Sequence, residues 1–292
     1  MHRENSVAEK LKRIGMVLCI FLVLGLVGNL VQYMTGLGSK PEEQETVVET
    51  TEEPTEPKIW AEPVEVPAEE IQKLKIEWVA GAVTVETGDV DQIQFRETEA
   101  RKELSYTVRD GELLIRYSKD SFQSLLGIHS KKGKELSVIL PETWQGTELD
   151  LEIVNADTVV KNLQVGLLEH DSMDGDLSIE NCRADQVTVQ TVSGGILYTG
   201  AVRTLSCESV SGSCRIEAVN RPERITMKGV PGAADLVLPE DAGFTAQLDG
   251  VETELNTDFE VTCQENTCTA GDGSCAVTFD GISGGISIRK AA

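Results

Sequence analysis

The sequence predicts an all-β fold in which short coils stack on one another, as in a β-solenoid. The first observation behind this prediction is a segment of about 19 residues that recurs along the chain. The marker residue of each copy, usually glycine, stands at positions 156, 175, 194, 212 and 232, so the steps are 19, 19, 18 and 20 residues. A fixed period of this size is typical of folds in which each unit contacts mainly its neighbours.

The second observation is the alternation of apolar residues within each copy, which indicates strand and not helix. In the copy around Gly194, apolar residues stand at Val187, Val189 and Val192 before the bend and at Ile196 after it. Two short strands cannot bury an apolar face alone, so we expect the copies to stack in register. This stacking predicts an inward column formed by Val189, Cys207 and Met227.

The bends between the strands are the third observation. Glycine suits a bend that needs a positive φ or a close approach of two backbones. We therefore assign a structural role at the bends to five glycines: Gly175, Gly194, Gly212, Gly232 and Gly284.

Composition narrows the possible partners. The 292 residues carry a formal net charge of −23, with a pI of about 4.5, and only 4% of them are aromatic. A chain this acidic is a poor partner for the phosphate backbone, so we predict no binding to nucleic acid.

The N-terminal region predicts a membrane anchor. An apolar run from Ile14 to Val31 follows a segment with four basic residues, and about 20 apolar residues cross a bilayer as a helix. The positive-inside rule places residues 1–13 in the cytoplasm and the part after the helix outside the cell. We predict a transmembrane helix over 14–34 and a single-pass protein of the cell membrane, with a cleaved signal peptide as the alternative.

Residues 35–70 have a different composition. The part from Gly38 to Glu70 holds eleven glutamates and five of the nine prolines of the chain. Such a segment cannot bury enough apolar surface to offset the entropy of ordering. We therefore predict a disordered Glu/Pro-rich linker, or stalk.

The folded part is predicted to have two regions. Residues 71–145 alternate in short stretches and are interpreted as β-strands that cap the N-terminal end of the stack, because an uncovered end exposes a strand edge. Residues 146–292 hold the solenoid repeats, which are interrupted by a cysteine-containing loop at residues 260–274.

The bend motifs resemble those of a known family. Val-Ser-Gly-Gly-Ile at 192–196, Val-Ser-Gly-Ser-Cys at 210–214 and Ile-Ser-Gly-Gly-Ile at 282–286 are similar to the bends of the bacterial "putative adhesin" domain of unknown function, found in Gram-positive envelope proteins. Leu-Pro after a strand, at 140–141 and 238–239, is similar as well. The resemblance covers Leu74 to Lys290, with departures at Ala156 and Pro231. It implies an extracellular repeated β fold, in some members close to envelope-stress regulators, and supplies no catalytic residues.

Five of the seven cysteines are disulfide candidates, and they divide into two sets. Cys207 and Cys214 occupy inward positions, where buried cysteine packs as a small apolar residue; a bridge between them across the bend is the alternative in an oxidising compartment. Cys263, Cys268 and Cys275 lie in the inserted loop, where a disulfide is more strongly indicated. The spacing is not that of a zinc site, and the pairing stays open.

Four carboxylates form the one constellation with chemical content. Asp150, Glu152, Glu169 and Asp171 take outward positions in two successive copies, so stacking places Asp150 beside Glu169 and Glu152 beside Asp171. Like charges on adjacent strands repel unless solvent or a cation intervenes. The sequence favours a solvated acidic face, with a calcium-like cation or an acid/base pair acting on a glycan as alternatives.

These observations predict a non-enzymatic, membrane-anchored surface module without a cofactor. Its expected partners are a cell-wall glycan, a surface protein or a membrane signalling protein. The alternative is an accessory or sensor protein of an envelope-stress system, and an enzyme acting on polysaccharide is the least favoured function.

Overall fold

The computed structural model describes residues 60–98, 104–117, 133–229, 234–250, 254–281 and 285–291. All of them belong to one compact unit, which runs from Pro57 to Ala292. The predicted cytoplasmic tail, the transmembrane helix over 14–34 and the first part of the linker lie outside the described residues. Within the described ranges, no helix is both long enough and apolar enough to cross a membrane.

The described residues form nineteen strands and one short 3-10 helix, Ala68–Glu70. The strands of the first part are β1 Val64–Val66, β2 Lys73–Gly88, β3 Ile93–Glu97, β4 Ser105–Arg109, β5 Glu112–Arg116, β6 Lys134–Pro141, β7 Gly146–Lys161, β8 Gln164–Asp174, β9 Leu177–Ser193 and β10 Ile196–Ser211. Those of the second part are β11 Cys214–Ala218, β12 Arg224–Lys228, β13 Ala234–Leu238, β14 Phe244–Gly250, β15 Leu255–Thr257, β16 Val261–Gln264, β17 Thr267–Ala270, β18 Cys275–Gly281 and β19 Ile286–Lys290.

Most of the strands form two parallel ladders, and each coil contributes one segment to each. The exceptions are β1, β3, β4, β16 and β17, which pair antiparallel with their neighbours. We call the segments before the glycine bend the first ladder and those after it the second ladder. In the coil of β7, residues 146–155 pair with β8 in the first ladder, and residues 158–161 pair with β9 in the second. β9 and β10 repeat this arrangement by running from the second ladder into the first. The all-β, stacked architecture predicted from the repeat is confirmed.

The register of the stack follows the repeat. Cys207 pairs with Val189 on one side and with Met227 on the other, so the predicted inward column is confirmed. All three side chains are buried. The column continues in the described strands as Ile76, Leu151, His170, Val189, Cys207, Met227, Phe279 and Leu248. Burying one large apolar side chain contributes roughly 1.5–3 kcal/mol, so these columns are the main source of stability.

The bends need glycine because the coils approach closely there. Gly175, Gly194 and Gly212 have φ values of 114°, 119° and 141°, a range that side chains with a Cβ rarely adopt. A Cβ added at Gly194 would lie 2.2 Å from the carbonyl oxygen of Gly175, and one at Gly212 would lie 2.1 Å from that of Gly194. Each bend glycine therefore faces the bend of the coil before it. Gly232 and Gly284 lie outside the described residues.

The spatial order of the coils departs from the chain order at both ends. β2 pairs in parallel with β7 on one side and with β5 and β6 on the other. The first coil of the chain is therefore the second coil of the stack. At the other end, β18 lies between β12 and β14, and β19 lies between β13 and β15. The last coil of the chain thus fills a slot inside the stack.

Two sequence predictions need correction here. The linker was predicted to be disordered as far as residue 70, but Val64–Val66 forms β1 and pairs with β3, because Val66 buries an apolar side chain in the core. The inserted loop at 260–274 is in fact largely a β-hairpin, in which β16 and β17 pair antiparallel.

Candidate functional site

The outward face of the first ladder carries the predicted acidic constellation. Asp150 lies beside Glu169, and Glu152 lies beside Asp171, as the repeat register predicts. The structure adds a lysine to this group. Lys75, on β2, pairs in register with Asp150, and its Nζ is 2.7 Å from Asp150 Oδ2 and 2.5 Å from Glu152 Oε1.

Lys75 changes the electrostatics of this corner of the face. Burial lowers the pKa of its ammonium, but hydrogen bonds to Asp150 and Glu152 outweigh burial and raise the pKa above its usual value. A second lysine, Lys73, bonds Glu148 at 2.7 Å. The face is therefore not a bare acidic surface but a set of ion pairs between the first coil of the chain and the coil stacked on it.

Three carboxylates of this corner are close enough to share a cation. Oxygen atoms of Glu148, Asp150 and Glu169 lie within 4.8 Å of one another. Oxygen donors of this kind suit a hard cation such as Ca²⁺, yet two of the three acids already bond lysine. The protein thus supplies a positive charge of its own at the place where the sequence suggested a metal ion.

Farther along the same row, the acidic residues give way to neutral polar ones. Glu169 pairs with Thr188, and the row continues through Ser206, Thr226, Thr278 and Gln247. These five residues, Thr188 to Gln247 in stacking order, are the polar row. Each is half-buried and lies in a strand. Adjacent strands are about 4.8 Å apart, so the row presents evenly spaced hydrogen-bonding groups.

On this face, an apolar row that includes Val192 and Val210 lies nearer the bend. Its outward position corrects one sequence prediction. The sequence pattern places Val192 and its equivalents in the alternating apolar set, but the strand alternation brings Thr191 and Ser209 inward instead. Both are buried. Val210 points outward and is 61% exposed.

The inward row beside the bend is accordingly polar. Ser172 Oγ donates a hydrogen bond to Thr191 Oγ1 at 2.9 Å, and Thr191 Oγ1 donates one to the carbonyl oxygen of Ser193. Ser209 makes the equivalent bond to the carbonyl oxygen of Ser211. These hydroxyl groups satisfy the backbone where the chain turns, which explains why apolar residues are not required there.

His170 is buried in the main inward column. It is 1% exposed, and within the described part of the chain neither ring nitrogen has a hydrogen-bond partner. Burial lowers its pKa from 6.5 to about 4, so the ring is neutral at physiological pH. Its environment is that of a core residue and not that of a catalytic base, which needs hydrogen-bond reach to a substrate.

The five disulfide candidates have different surroundings. Cys263 and Cys268 form a disulfide that joins the two strands of the β16–β17 hairpin. Cys275 is a buried free thiol, and burial raises its pKa to about 11. Cys207 and Cys214 are buried thiols whose sulfur atoms lie 3.1 Å apart.

The chain is similar to one known family and to several solved structures. Residues 71–289 match the family described as Toastrack DUF4097. A "putative cell adhesion protein" of Clostridium sporogenes is 18% identical, with 80% of this chain and 100% of that chain covered and a TM-score of 0.35. A "putative adhesin" of Bacteroides fragilis is 13% identical, with 80% and 97% covered and a TM-score of 0.49.

One further similar structure is that of a protein named for lipid binding and not for adhesion. A "putative lipid binding protein" of Parabacteroides distasonis is 15% identical, with 79% of this chain and 96% of that chain covered and a TM-score of 0.40. Among curated proteins, none matches the chain.

Proposed function

The chain belongs to the Toastrack DUF4097 family, and from this premise we propose that it is a membrane-anchored extracellular module that binds a neutral glycan of the cell envelope. The binding surface in this proposal is the polar row of the first ladder. The protein catalyses no reaction and uses no cofactor. The apolar run from Ile14 to Val31 after a basic segment supports the anchor, and the acidic, proline-rich residues before Trp60 support a spacer between membrane and fold.

The polar row is the observation that carries the proposal. Hydroxyl and amide groups both donate and accept hydrogen bonds, as do the hydroxyl groups of a sugar. Because each coil contributes one residue, Thr188, Ser206 and Thr226 repeat at a fixed spacing along three neighbouring strands. A repeating polymer can therefore be bound by several equivalent weak contacts, whose combined affinity exceeds that of any one of them.

Charge supports a neutral glycan over a charged one. The formal net charge of −23 repels phosphate-rich or uronic-acid polymers at low salt. Two carboxylates of the same face, Asp150 and Glu152, are engaged by Lys75. They serve to join two coils and are not displayed to a ligand as a pair of free acids.

A binding assay with matched variants tests the proposal. The full chain in detergent is incubated with an insoluble neutral glycan, such as chitin, and the bound fraction is measured. Ser206→Lys places a long charged side chain in the middle of the polar row. Ser178→Lys places the same side chain on the outward face of the second ladder, where Ser178 is also half-buried, and so serves as the control.

We expect Ser206→Lys to weaken binding about tenfold, through the loss of one or two hydrogen bonds at roughly 1 kcal/mol each, and Ser178→Lys to leave it unchanged. Equal binding by the two variants would remove the polar row as the site. If no glycan binds and the chain co-purifies with a membrane protein through residues 1–40, the envelope-stress accessory function replaces the proposal.

A further inference from the structure

Cys207 and Cys214 face each other across the bend of one coil. Cys207 lies in the first-ladder part of β10, and Cys214 begins β11 in the second ladder. They are 0% and 1% exposed, and their sulfur atoms are 3.1 Å apart. Two sulfur atoms in ordinary van der Waals contact lie farther apart than this, whereas a disulfide needs about 2.0 Å.

The neighbouring coils show what this position normally holds. In the coil on one side, the equivalent residues are Val189 and Ile196. In the coil on the other side, they are Met227 and Ala234. Two apolar side chains therefore fill the same space above and below, so cysteine is not demanded by packing at either place. Cysteine stands at both positions of this coil, so the two thiols lie side by side.

We propose that Cys207 and Cys214 are a single redox site that forms a disulfide across the core, joining the two ladders of this coil. The bond needs the two sulfur atoms, now 3.1 Å apart, to approach each other by about 1 Å. The chain already holds one disulfide, between Cys263 and Cys268, so it is suited to a compartment in which such bonds persist.

The chemistry is thiol–disulfide exchange with a disulfide donor, such as oxidised glutathione or an oxidoreductase. The thiolate of one cysteine attacks the donor disulfide, releases one donor thiolate and leaves a mixed disulfide. The second cysteine then attacks the mixed disulfide and releases the second donor thiol. The two protein thiols lose two electrons and two protons in total, and the donor disulfide is reduced to two thiols.

The timing of this step follows from the surroundings of the pair. The hydrogen bond to Cys207 and burial both raise the pKa of Cys214 well above its usual value, so the closed coil holds very little of the attacking thiolate. The bond therefore forms while the coil is open, during folding or local unfolding. Refolding is the appropriate condition for a test.

The full chain is reduced in denaturant and refolded in glutathione buffers of stepwise increasing oxidised fraction. It is then quenched with acid, alkylated in denaturant without reduction and digested with trypsin. Residues 204–215 form one tryptic peptide that contains both Cys207 and Cys214. Cys182, a buried free thiol, falls in the peptide 162–183, and Cys263, Cys268 and Cys275 fall in 229–289.

The other peptides act as controls within each sample. The comparison is made in every buffer in which 229–289 carries one label, because this shows that two of its three cysteines are bonded, as Cys263 and Cys268 are in the structure. We expect the peptide 204–215 from those samples to carry no label and to be lighter than its reduced form by two hydrogen atoms. Cys182 should be labelled throughout. In Cys207→Val, which restores the residue type of the preceding coil, the peptide should carry a label or a glutathione adduct on Cys214.

Two labels on 204–215 in samples whose 229–289 peptide carries one label would overturn the proposal. The pair would then be two packed thiols, as Cys182 and Cys275 are single ones. An intermolecular cross-link through Cys207 or Cys214, seen as a dimer on a non-reducing gel, would overturn it equally.

Discussion

Replacing His170 with leucine should stabilise the fold and remove a large part of its sensitivity to acid. His170 stands between Leu151 and Val189 in the main inward column. Both of its ring nitrogens are buried without a partner in the described structure, and an unsatisfied buried polar group costs about 1–3 kcal/mol. Leucine fits the apolar column and has no such atoms.

The acid sensitivity follows from the pKa of His170. Burial lowers this pKa to about 4, compared with 6.5 for an ordinary histidine. Since the folded-state pKa is the lower one, the unfolded chain binds the proton more readily, and folding stability falls as the pH drops from 6.5 towards 4. The loss is about 2 kcal/mol between pH 7 and pH 5 and about 3 kcal/mol once the pH is below 4, at 1.36 kcal/mol for each unit of pKa difference.

Urea unfolding at pH 7, 6, 5 and 4.5 measures the effect. Carboxylates titrate in the same range, so the informative quantity is the difference between His170→Leu and wild type at each pH. This difference should favour the variant by about 1–3 kcal/mol at pH 7 and grow by about 2 kcal/mol at pH 5. Met227→Leu, a volume-conserving change in the same column, should show a difference that does not vary with pH. A pH-independent difference for His170→Leu as well would refute the argument.

Three further predictions test the bend at Gly194, the position of the last coil inside the stack and the ion pairs of Lys75. Gly194→Ala should lower the free energy of unfolding in urea by about 3 kcal/mol or more, because φ is 119° and the added Cβ would lie 2.2 Å from a backbone oxygen. The control Gly195→Ala should lower it by about 1 kcal/mol or less, because the atom nearest to its Cβ would be a side-chain oxygen at 3.3 Å. Equal losses in the two variants would contradict the close approach of the bends. Phe279→Ala should cost about 3–5 kcal/mol, whereas Val210→Ala on the outward face should change stability by about 0.5 kcal/mol at most; a small loss at Phe279 would show that the last coil does not fill an interior slot. Lys75→Met should leave the surrounding carboxylates able to bind Ca²⁺. Millimolar Ca²⁺ should therefore stabilise the variant by on the order of 1 kcal/mol in thermal unfolding and leave wild type unchanged. Stabilisation of both proteins would show that Lys75 does not occupy the cation position.

The repeat predicted the fold because its information is local. Alternation specifies strands, the glycine marker specifies the bend, and equal spacing specifies which residues stack. The column through Val189, Cys207 and Met227 follows directly from these three features. Val192 was misplaced for a related reason: a hydrophobicity pattern does not distinguish an apolar residue that points outward from an inward one, and the buried hydroxyl groups of Thr191 and Ser209 have no apolar signature.

The candidate site was predicted only in part, because its other half comes from a distant strand. Asp150 and Glu169 belong to successive copies, so their pairing could be predicted from the spacing alone. Lys75 lies 75 residues before Asp150, in a region that was interpreted as a cap. The polar row of the first ladder could have been found by extending the row of Glu169 through each later copy, since Thr188, Ser206 and Thr226 hold the same position in the repeat.

The order of the coils could not be predicted from the repeat, because the repeat gives every coil the same backbone and hence similar pairing with any other. The ends decide the order instead. The hairpin of β16 and β17, closed by the disulfide between Cys263 and Cys268, pairs antiparallel with the outer side of β14. Only the inner side of β14 then stays available for parallel pairing, so the chain that leaves the hairpin must enter between β14 and β12. The insertion of Glu260 to Ser274, which interrupts the period in the sequence, is therefore the feature that directs the last coil into the stack.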